Sequence, residues 1–385
     1  MISNYLKLAI RNLLKNKVFS IINIGGLAIS TSVCLLIISI IADQKNYDQF
    51  HTKKDRIFRV LTNTGSSEMA TSSFQLGDEI VSKHTGIEKT ATLVRGFGGD
   101  IFYNDKMASG GGYFADGNLF EIFDYKLIEG DPNTALNTPR SLVISEALSK
   151  QLFYNENPIG KSVRFKNTGV NPIGVDHGNQ ETDYGLFTIT GILDQNPGKT
   201  HLPFQVLTSL ETIRALAKDS ILNTDFNNWE LVWECHNYAL LSENNSQVDL
   251  QVALDKISKE KFTNVPYSFK AQALGEITPG PMVGNTSHVF IPKMFLIFLA
   301  GLCLIIILSA GFNYTNLTLA RSFTRAKEVG IRKVSGAKRG QVFYQFICES
   351  VVISLASFVL AIPLLFILQN IFSKFVINQY INITF

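Results

Sequence analysis

Met294-Phe295-Leu296-Ile297-Phe298-Leu299-Ala300-Gly301-Leu302-Cys303-Leu304-Ile305-Ile306-Ile307-Leu308 runs on to Ala320, 27 residues without a charge. A helix needs about 20 apolar residues to cross the ~30 Å hydrocarbon core of a bilayer, so this run predicts a membrane span. Two more runs qualify. Val18 to Ala42 has 25 uncharged residues, and Val351 to Phe372 has 22, with Pro363 inside. Three such runs are too many for buried core helices. The composition agrees: 46% hydrophobic and 17% charged, against roughly 25% charged in an average soluble domain. Mean hydropathy is +0.14. These values exclude a disordered chain, an ordinary soluble enzyme and a nucleic-acid-binding domain, so no nucleic-acid partner is expected. The first run exceeds the ~7–15 residues of a signal-peptide core, and Ile40 and Ala42 make no small-x-small cleavage site. It reads as an uncleaved signal anchor.

The charges around the spans set an orientation. Residues 1–17 carry Lys7, Arg11, Lys15 and Lys17 and no acid. The loop 321–340 carries a net +6, whereas 43–292 carries a net −8. By the positive-inside rule, the N-terminus and the 321–340 loop are expected in the cytoplasm. The large segment 43–292 is then expected outside. The spans themselves hold no acid or base, which argues against an ion path through this chain; Lys293, Glu349 and Lys374 flank them.

The large segment mixes short β-rich runs with helical ones. Ile57 to Leu61, Ser141 to Ile144, Ser162 to Phe165 and Phe187 to Leu193 read as strands. Glu146 to Phe153 and Val248 to Phe262 have helical apolar spacing. The expected fold class is therefore an α+β extracytoplasmic domain joined to an α-helical transmembrane bundle of three spans. Lys166 to Thr182 reads as a loop, and Thr278-Pro279-Gly280-Pro281 as a break before the second span. Cys235 is the one cysteine outside the spans and their edges, so an internal disulfide is not expected there.

Several chemical readings fail on spacing. Gly160-Lys161-Ser162 and Gly198-Lys199-Thr200 lack the earlier glycine of a phosphate loop; Asn155 and Leu193 stand in its place. The six histidines, His51, His84, His177, His201, His236 and His288, show no close metal-ligand spacing. No nucleophile elbow or zinc-protease helix occurs. No catalytic residue, cofactor or metal is expected.

Two basic segments remain. In residues 1–17, Leu6, Ile10, Leu13 and Leu14 share one helical face and Lys7, Arg11 and Lys15 another. Such a helix suits the surface of a membrane with anionic lipid, although the same charges also serve topology. The other segment, Arg321 to Gly340, alternates charges with Val329, Ile331 and Val334. A span-two helix continuing into it, a turn at Gly336 and Gly340, and a new helix from Gln341 would make a helical elbow. Apolar side chains among its charges suggest docking on a partner.

Phe312-Asn313-Tyr314-Thr315-Asn316-Leu317, Arg325-Ala326-Lys327-Glu328-Val329-Gly330-Ile331-Arg332-Lys333-Val334-Ser335-Gly336-Ala337 and Gln345-Phe346-Ile347-Cys348-Glu349-Ser350 together resemble the signature of the MacB/FtsX family of ABC transporter permeases. Arg11-Asn12-Leu13-Leu14-Lys15-Asn16-Lys17 and Ile22-Asn23-Ile24-Gly25-Gly26-Leu27 agree. Tyr47-Asp48-Gln49-Phe50-His51 with Asp55-Arg56-Ile57-Phe58-Arg59-Val60 resembles the start of a MacB-like periplasmic core domain. The whole is similar to the long two-repeat permeases common in Bacteroidetes.

The resemblance implies a non-catalytic permease subunit in a bacterial inner membrane. A separate cytoplasmic ABC ATPase subunit would move the elbow, and the spans would relay that motion to the periplasmic domain. Export or extraction of a hydrophobic compound, peptide or lipoprotein would follow. The implied coupling residues are Arg325, Lys327, Glu328, Gly330, Arg332, Lys333, Gly336 and Ala337. Gly25 and Gly26 are implied to allow close helix packing in a permease dimer. The expected division is a cytoplasmic helix over 1–17, spans at 18–42, 290–320 and 346–372, the core domain at 43–289, the coupling segment at 321–345 and a tail at 373–385. A family unit has four spans. Only Ser373 to Phe385 follow the third here, so the fourth is expected to be lost or on another chain. The rival readings are a membrane-anchored sensor of peptides or antibiotics and an inactive fragment.

Overall fold

The computed structural model describes residues 2–154, 156–169, 181–194, 198–222, 225–334, 336 and 339–374. At 2–5, 322–325, 327–328 and 332–333 it describes the backbone alone. The chain divides into two compact units, one of residues 1–44 with 293–385 and one of residues 45–292.

The first unit holds four helices: α1 (Ile2–Lys15), α2 (Lys17–Lys45), α8 (Lys293–Val334) and α9 (Arg339–Ser373). Among the described residues, three helices are long and apolar enough to cross a membrane, at Lys17–Lys45, Lys293–Arg321 and Arg339–Ser373. Most of their large apolar side chains point away from the unit, among them Ile21, Ile29, Ile305, Leu355 and Phe366. A soluble protein would bury that surface; in a bilayer it faces acyl chains.

The second unit is built on one mixed sheet. Its strands are β1 (Ile57–Asn63), β2 (Glu68–Met69), β3 (Ile87–Tyr103), β4 (Lys106–Ala115), β5 (Leu127–Glu129), β6 (Ser141–Ser145), β7 (Ser162–Asn167), β8 (Thr182–Leu193), β9 (Val206–Ser209), β10 (Cys235–Leu241) and β11 (Ser268–Ala273). The order is β11-β1-β10-β3-β4-β9-β6-β8-β5, with β2 on β1. Strand β7 pairs with both β3 and β8, so β3, β4, β9, β6, β8 and β7 close on themselves as a small barrel. Closure leaves these strands without an open edge.

The barrel is filled by Phe97, Phe114, Phe165, Tyr184 and Phe187. Phe97 and Phe165 stack with ring centroids 4.3 Å apart. Two glycines permit the tight wall. A Cβ at Gly112 would stand 1.6 Å from the Val206 carbonyl oxygen, and one at Gly99 would stand 2.0 Å from that of Lys166.

The other end of the sheet, β11-β1-β10-β3, is antiparallel. It is covered by α3 (Leu76–Lys83) and α7 (Gln247–Lys261), which bury Leu76, Ile80, Leu250, Leu254 and Ile257 against Phe58, Val60 and Phe269. Strand β3 serves both ends. It changes partner from β10 to β7 across a bulge between Val94 and Phe97, where Gly96 has φ +87°. The remaining helices, α4 (Leu119–Ile122), α5 (Glu146–Phe153) and α6 (Glu211–Lys218), follow strands at the rim.

Candidate functional site

The elbow begins as a continuation of a span. Helix α8 runs 42 residues without a break, about 63 Å at 1.5 Å per residue. That is roughly twice the hydrocarbon thickness, so one helix forms both the span and the charged segment after it. The run from Lys293 has no proline, and Arg325, Ala326, Lys327 and Glu328 are strong helix formers that outweigh Gly330, so the helix does not stop at the end of the apolar stretch.

Arg325, Lys327, Glu328, Gly330, Arg332 and Lys333 all lie on this helix. Gly330 is exposed, and Val334 is 92% exposed at the helix end. Gly336 carries φ +89°, the left-handed region that glycine occupies without a Cβ clash. Ala337 lies outside the described residues. Gly340, read from the sequence as part of the turn, is instead the second residue of α9. The turn is thus shorter than expected, because one left-handed glycine suffices to end the helix.

The elbow end of the bundle is polar. Asn12 of α1 donates from Nδ2 to Glu349 Oε2 of α9 at 3.2 Å. Glu349 is only 5% exposed. It flanks an uncharged run in the sequence, yet it is buried inside the helical unit. Asn16 Nδ2 donates to the Asn12 carbonyl at 2.9 Å, and Ser20 Oγ to that of Leu13 at 2.9 Å. Across the other helices, Tyr314 and Ser350 hydroxyls meet at 2.9 Å, and Arg321 lies over the Phe19 ring, 4.5 Å from its centroid.

This arrangement orients α1. Its inward stripe is Ala9, Asn12 and Leu13, while Leu6, Ile10 and Leu14 stay exposed. Gly25 and Gly26 are not forced by a close crossing within the chain. A Cβ at Gly25 meets nothing within 4 Å, and one at Gly26 meets only Asn313 Nδ2 at 4.0 Å. Gly26 instead borders a cavity of about 380 Å³ between α2 and α8, which Asn23, Ser30, Ser309 and Asn313 also line. Sequence reasoning met Asn12 and Asn23 only within motifs and Glu349 only as a flanking charge, and gave them no contact. The available signal was polar residues at the margins of apolar runs.

The family described as MacB-like periplasmic core domain matches residues 20–255. The chain belongs to the MacB/FtsX family of ABC transporter permeases. The FtsX-like permease C-terminal family matches residues 296–385, which include most of α8, the elbow and α9. YknZ of Bacillus subtilis, an uncharacterized ABC transporter permease, is 27% identical over 55% of this chain and 45% of its own. The macrolide export ATP-binding/permease protein MacB of Neisseria gonorrhoeae is 22% identical over 80% of this chain and 42% of its own. A solved domain of a putative permease protein from Porphyromonas gingivalis is 17% identical, covering 65% of this chain and 98% of its own, with a TM-score of 0.45. The chain spans under half the length of the two curated relatives.

In this family member, His51, His201, His236 and His288 are buried inside the large unit. His201 Nδ1 lies 2.8 Å from Asp48 Oδ2 and Nε2 lies 2.8 Å from the Tyr238 hydroxyl. A carboxylate only accepts, so Nδ1 carries the proton and Nε2 accepts from Tyr238. Burial alone would raise the Asp48 carboxyl. The His201 ring and its hydrogen bond outweigh that, with His51 and Thr200 nearby adding to the effect, and hold it below the usual carboxylate range. Burial pushes the His201 imidazole down, against the pull of Asp48.

Asp48, His201 and Tyr238 are all buried, with Phe123 packed on the His201 and Tyr238 rings. No face is left for a substrate, so the triad holds the core. It brings together the two ends of the unit: Tyr47 and His288 rings stand 5.4 Å apart. His236 and Ser287, 3.2 Å apart, are likewise buried. His84 is half-buried at the end of α3, and His177 lies outside the described residues.

The two glycine-lysine tripeptides make no phosphate cradle. Lys161 pairs with Glu156 and with the Tyr103 hydroxyl at 3.0 Å. Lys199 lies 5.6 Å from the Tyr47 ring centroid, and Thr200 meets the Tyr125 hydroxyl at 2.8 Å. Among the described residues, no group of three or more His, Cys, Asp or Glu side chains is arranged to hold a metal ion.

Proposed function

We propose that this permease is the membrane subunit of a mechanotransmission complex in a bacterial inner membrane. A separate cytoplasmic ATPase docks on the elbow between α8 and α9. Its ATP-driven closure moves α8 as a rod, and the spans pass that motion to the large domain on the periplasmic side. The chain itself hydrolyses nothing. Its cargo is a hydrophobic compound, a peptide or a lipoprotein, and two copies of the permease face one ATPase dimer, with Gly25 and Gly26 at their contact.

The observation that carries this reading is the unbroken helix from Lys293 to Val334. A helix hydrogen-bonded along its whole length transmits a push at one end to the other with little bending. The contacts of Asn12 with Glu349 and of Tyr314 with Ser350 support it, since they tie α1, α8 and α9 at the elbow end. Glu328, Arg332 and Lys333 are the residues assigned to the ATPase surface, with Arg325 and Lys327 toward lipid headgroups or the same partner.

The test is a pull-down of the tagged chain from its native membrane, beside the variant with Glu328→Ala, Arg332→Ala and Lys333→Ala. An ABC ATPase should come down with the original and be lost with the variant. Capture of the ATPase by both would move the coupling surface elsewhere, and capture by neither would sink the proposal.

A further inference from the structure

The large unit contains a cleft of about 320 Å³ where α3, β3, the β4–α4 loop and the start of α6 meet. That volume is at the lower end of small-molecule sites, roughly 300–1,000 Å³. Phe74, Leu136 and Leu210 supply its apolar wall. The polar lining is one-sided in its chemistry. Thr92 Oγ1 donates to Asn237 Oδ1 at 2.6 Å, and Thr90 Oγ1 donates to the Gly77 carbonyl at 3.2 Å. Asn118 Nδ2 donates to the Thr90 carbonyl at 2.9 Å, and Asn137 Nδ2 to that of Asn133 at 2.8 Å. The two threonine hydroxyls have spent their single donor inside the protein and keep acceptor capacity, while Asn118 and Asn137 each commit one amide N–H and keep a carbonyl acceptor.

The charges lean the same way. Asp78, Asp116 and Glu211 line the cleft with one cation, Arg214, which pairs with Glu211. Asp116 Oδ2 accepts from the Thr92 N–H at 2.7 Å, while its other oxygen, Oδ1, is buried without a partner. Burial pushes the Asp116 carboxyl up to about 7 against the opposing backbone N–H groups of Thr92, Asn118 and Leu119, and Asp78 adds a smaller rise. An enclosed carboxylate beside a second carboxylate and no free cation is a costly arrangement. A bound cation would relieve it.

We propose that this cleft binds an organic ammonium ion, with Asp116 and Asp78 as its counter-charges, the Thr90, Thr92, Asn118 and Asn137 oxygens as further acceptors, and Phe74 and Leu136 against its alkyl part. An ammonium group offers only donors, which matches a lining that offers mostly acceptors. Two sources share this chemistry: a free small amine and the side chain of a lysine on another polypeptide.

The test is calorimetric titration of the full chain in detergent micelles at physiological salt. Putrescine is the free-amine probe, Nα-acetyl-lysine amide the side-chain probe, and 1,4-butanediol the uncharged control. Saturable binding of either amine and none of the diol is expected. Binding of putrescine alone assigns a free amine, and binding of the lysine derivative alone assigns a polypeptide side chain. Asp116→Asn should weaken binding on the order of tenfold, the cost of losing a charged hydrogen-bond partner. Asp78→Asn alters an exposed side chain and should weaken binding without loss of fold. Failure of both amines to bind, equal binding of the diol, or affinity unchanged in Asp78→Asn and Asp116→Asn alike would overturn the proposal. No ATPase enters this titration, so its result stands apart from the pull-down.

Discussion

The side-chain amide of Asn12 donates to Glu349 at 3.2 Å, across 337 positions of sequence. It fastens the N-terminal helix α1 to the start of α9, close after the elbow. A buried carboxyl among apolar helices needs such a partner, because an unsatisfied polar group in that setting costs several kcal/mol by rough estimate. The contact therefore ties α1 to the first third of α9, the helix that follows the elbow.

This contact should be energetically coupled. Asn12→Ala and Glu349→Ala should each lower the thermal midpoint of the chain in detergent. The double variant should lose less than the sum, with a coupling of about 1 kcal/mol, the usual net worth of one hydrogen bond. Strict additivity would mean that the two side chains merely lie near each other.

The two glycines of the elbow should respond with opposite signs. Gly336 has φ +89°, so Gly336→Ala should cost about 1–2 kcal/mol, the penalty of a Cβ in left-handed backbone. Gly340 is helical, with nothing within 4 Å of an added Cβ. Gly340→Ala should gain on the order of 0.5–1 kcal/mol through helix propensity. Thermal midpoints of the two variants check this. A loss of equal size in both would place the turn across 336–340 rather than at Gly336.

Stability should depend on pH through groups that pull in opposite directions. Burial depresses the His288 imidazole to about 3, and lowers His201 and His236 as well. Below about 6.5 the unfolded chain takes up protons that the folded chain refuses. Stability from these histidines is therefore lost as pH falls from about 6.5 toward 3. Asp116, raised by burial to about 7, acts the other way. It is protonated in the fold where an unfolded carboxyl, near 3.9, has already ionised, so its contribution is full below that value and is lost as pH rises to about 7. Asp116→Asn removes the opposing term. The variant should lose stability more steeply than the wild type between about pH 6.5 and 4. Parallel unfolding profiles for the two would show that Asp116 does not titrate in this range.

Much of the local structure was legible along the chain. Glu146 to Phe153 is α5, and the strands read at 57, 141, 162 and 187 are β1, β6, β7 and β8. Those segments are marked by β-branched or apolar runs or by helical apolar spacing. Strands β3 and β4 were not legible, because Gly96, Gly98, Gly99 and Gly110 to Gly112 dilute their pattern. Those glycines are there for the wall of the barrel: at Gly99 and Gly112 a side chain would collide with the backbone of β7 or β9. In the candidate site, the helical continuation past Ala320 and the glycine turn were readable. Glu349 was read as a flanking charge, since nothing local reveals that Asn12 will cover it.

By itself the sequence determined the three spans, the mixed α and β character of the large unit and the family. These rest on run length, local periodicity and contiguous motifs, which are properties of neighbouring residues. Only the tertiary structure decided which polar groups meet: Asn12 with Glu349, Asp48 with His201, and the acceptor-lined cleft around Asp116. Those pairings join residues tens to hundreds of positions apart. Burial and hydrogen bonding act on distance in space, and the order of residues along the chain does not encode that distance locally.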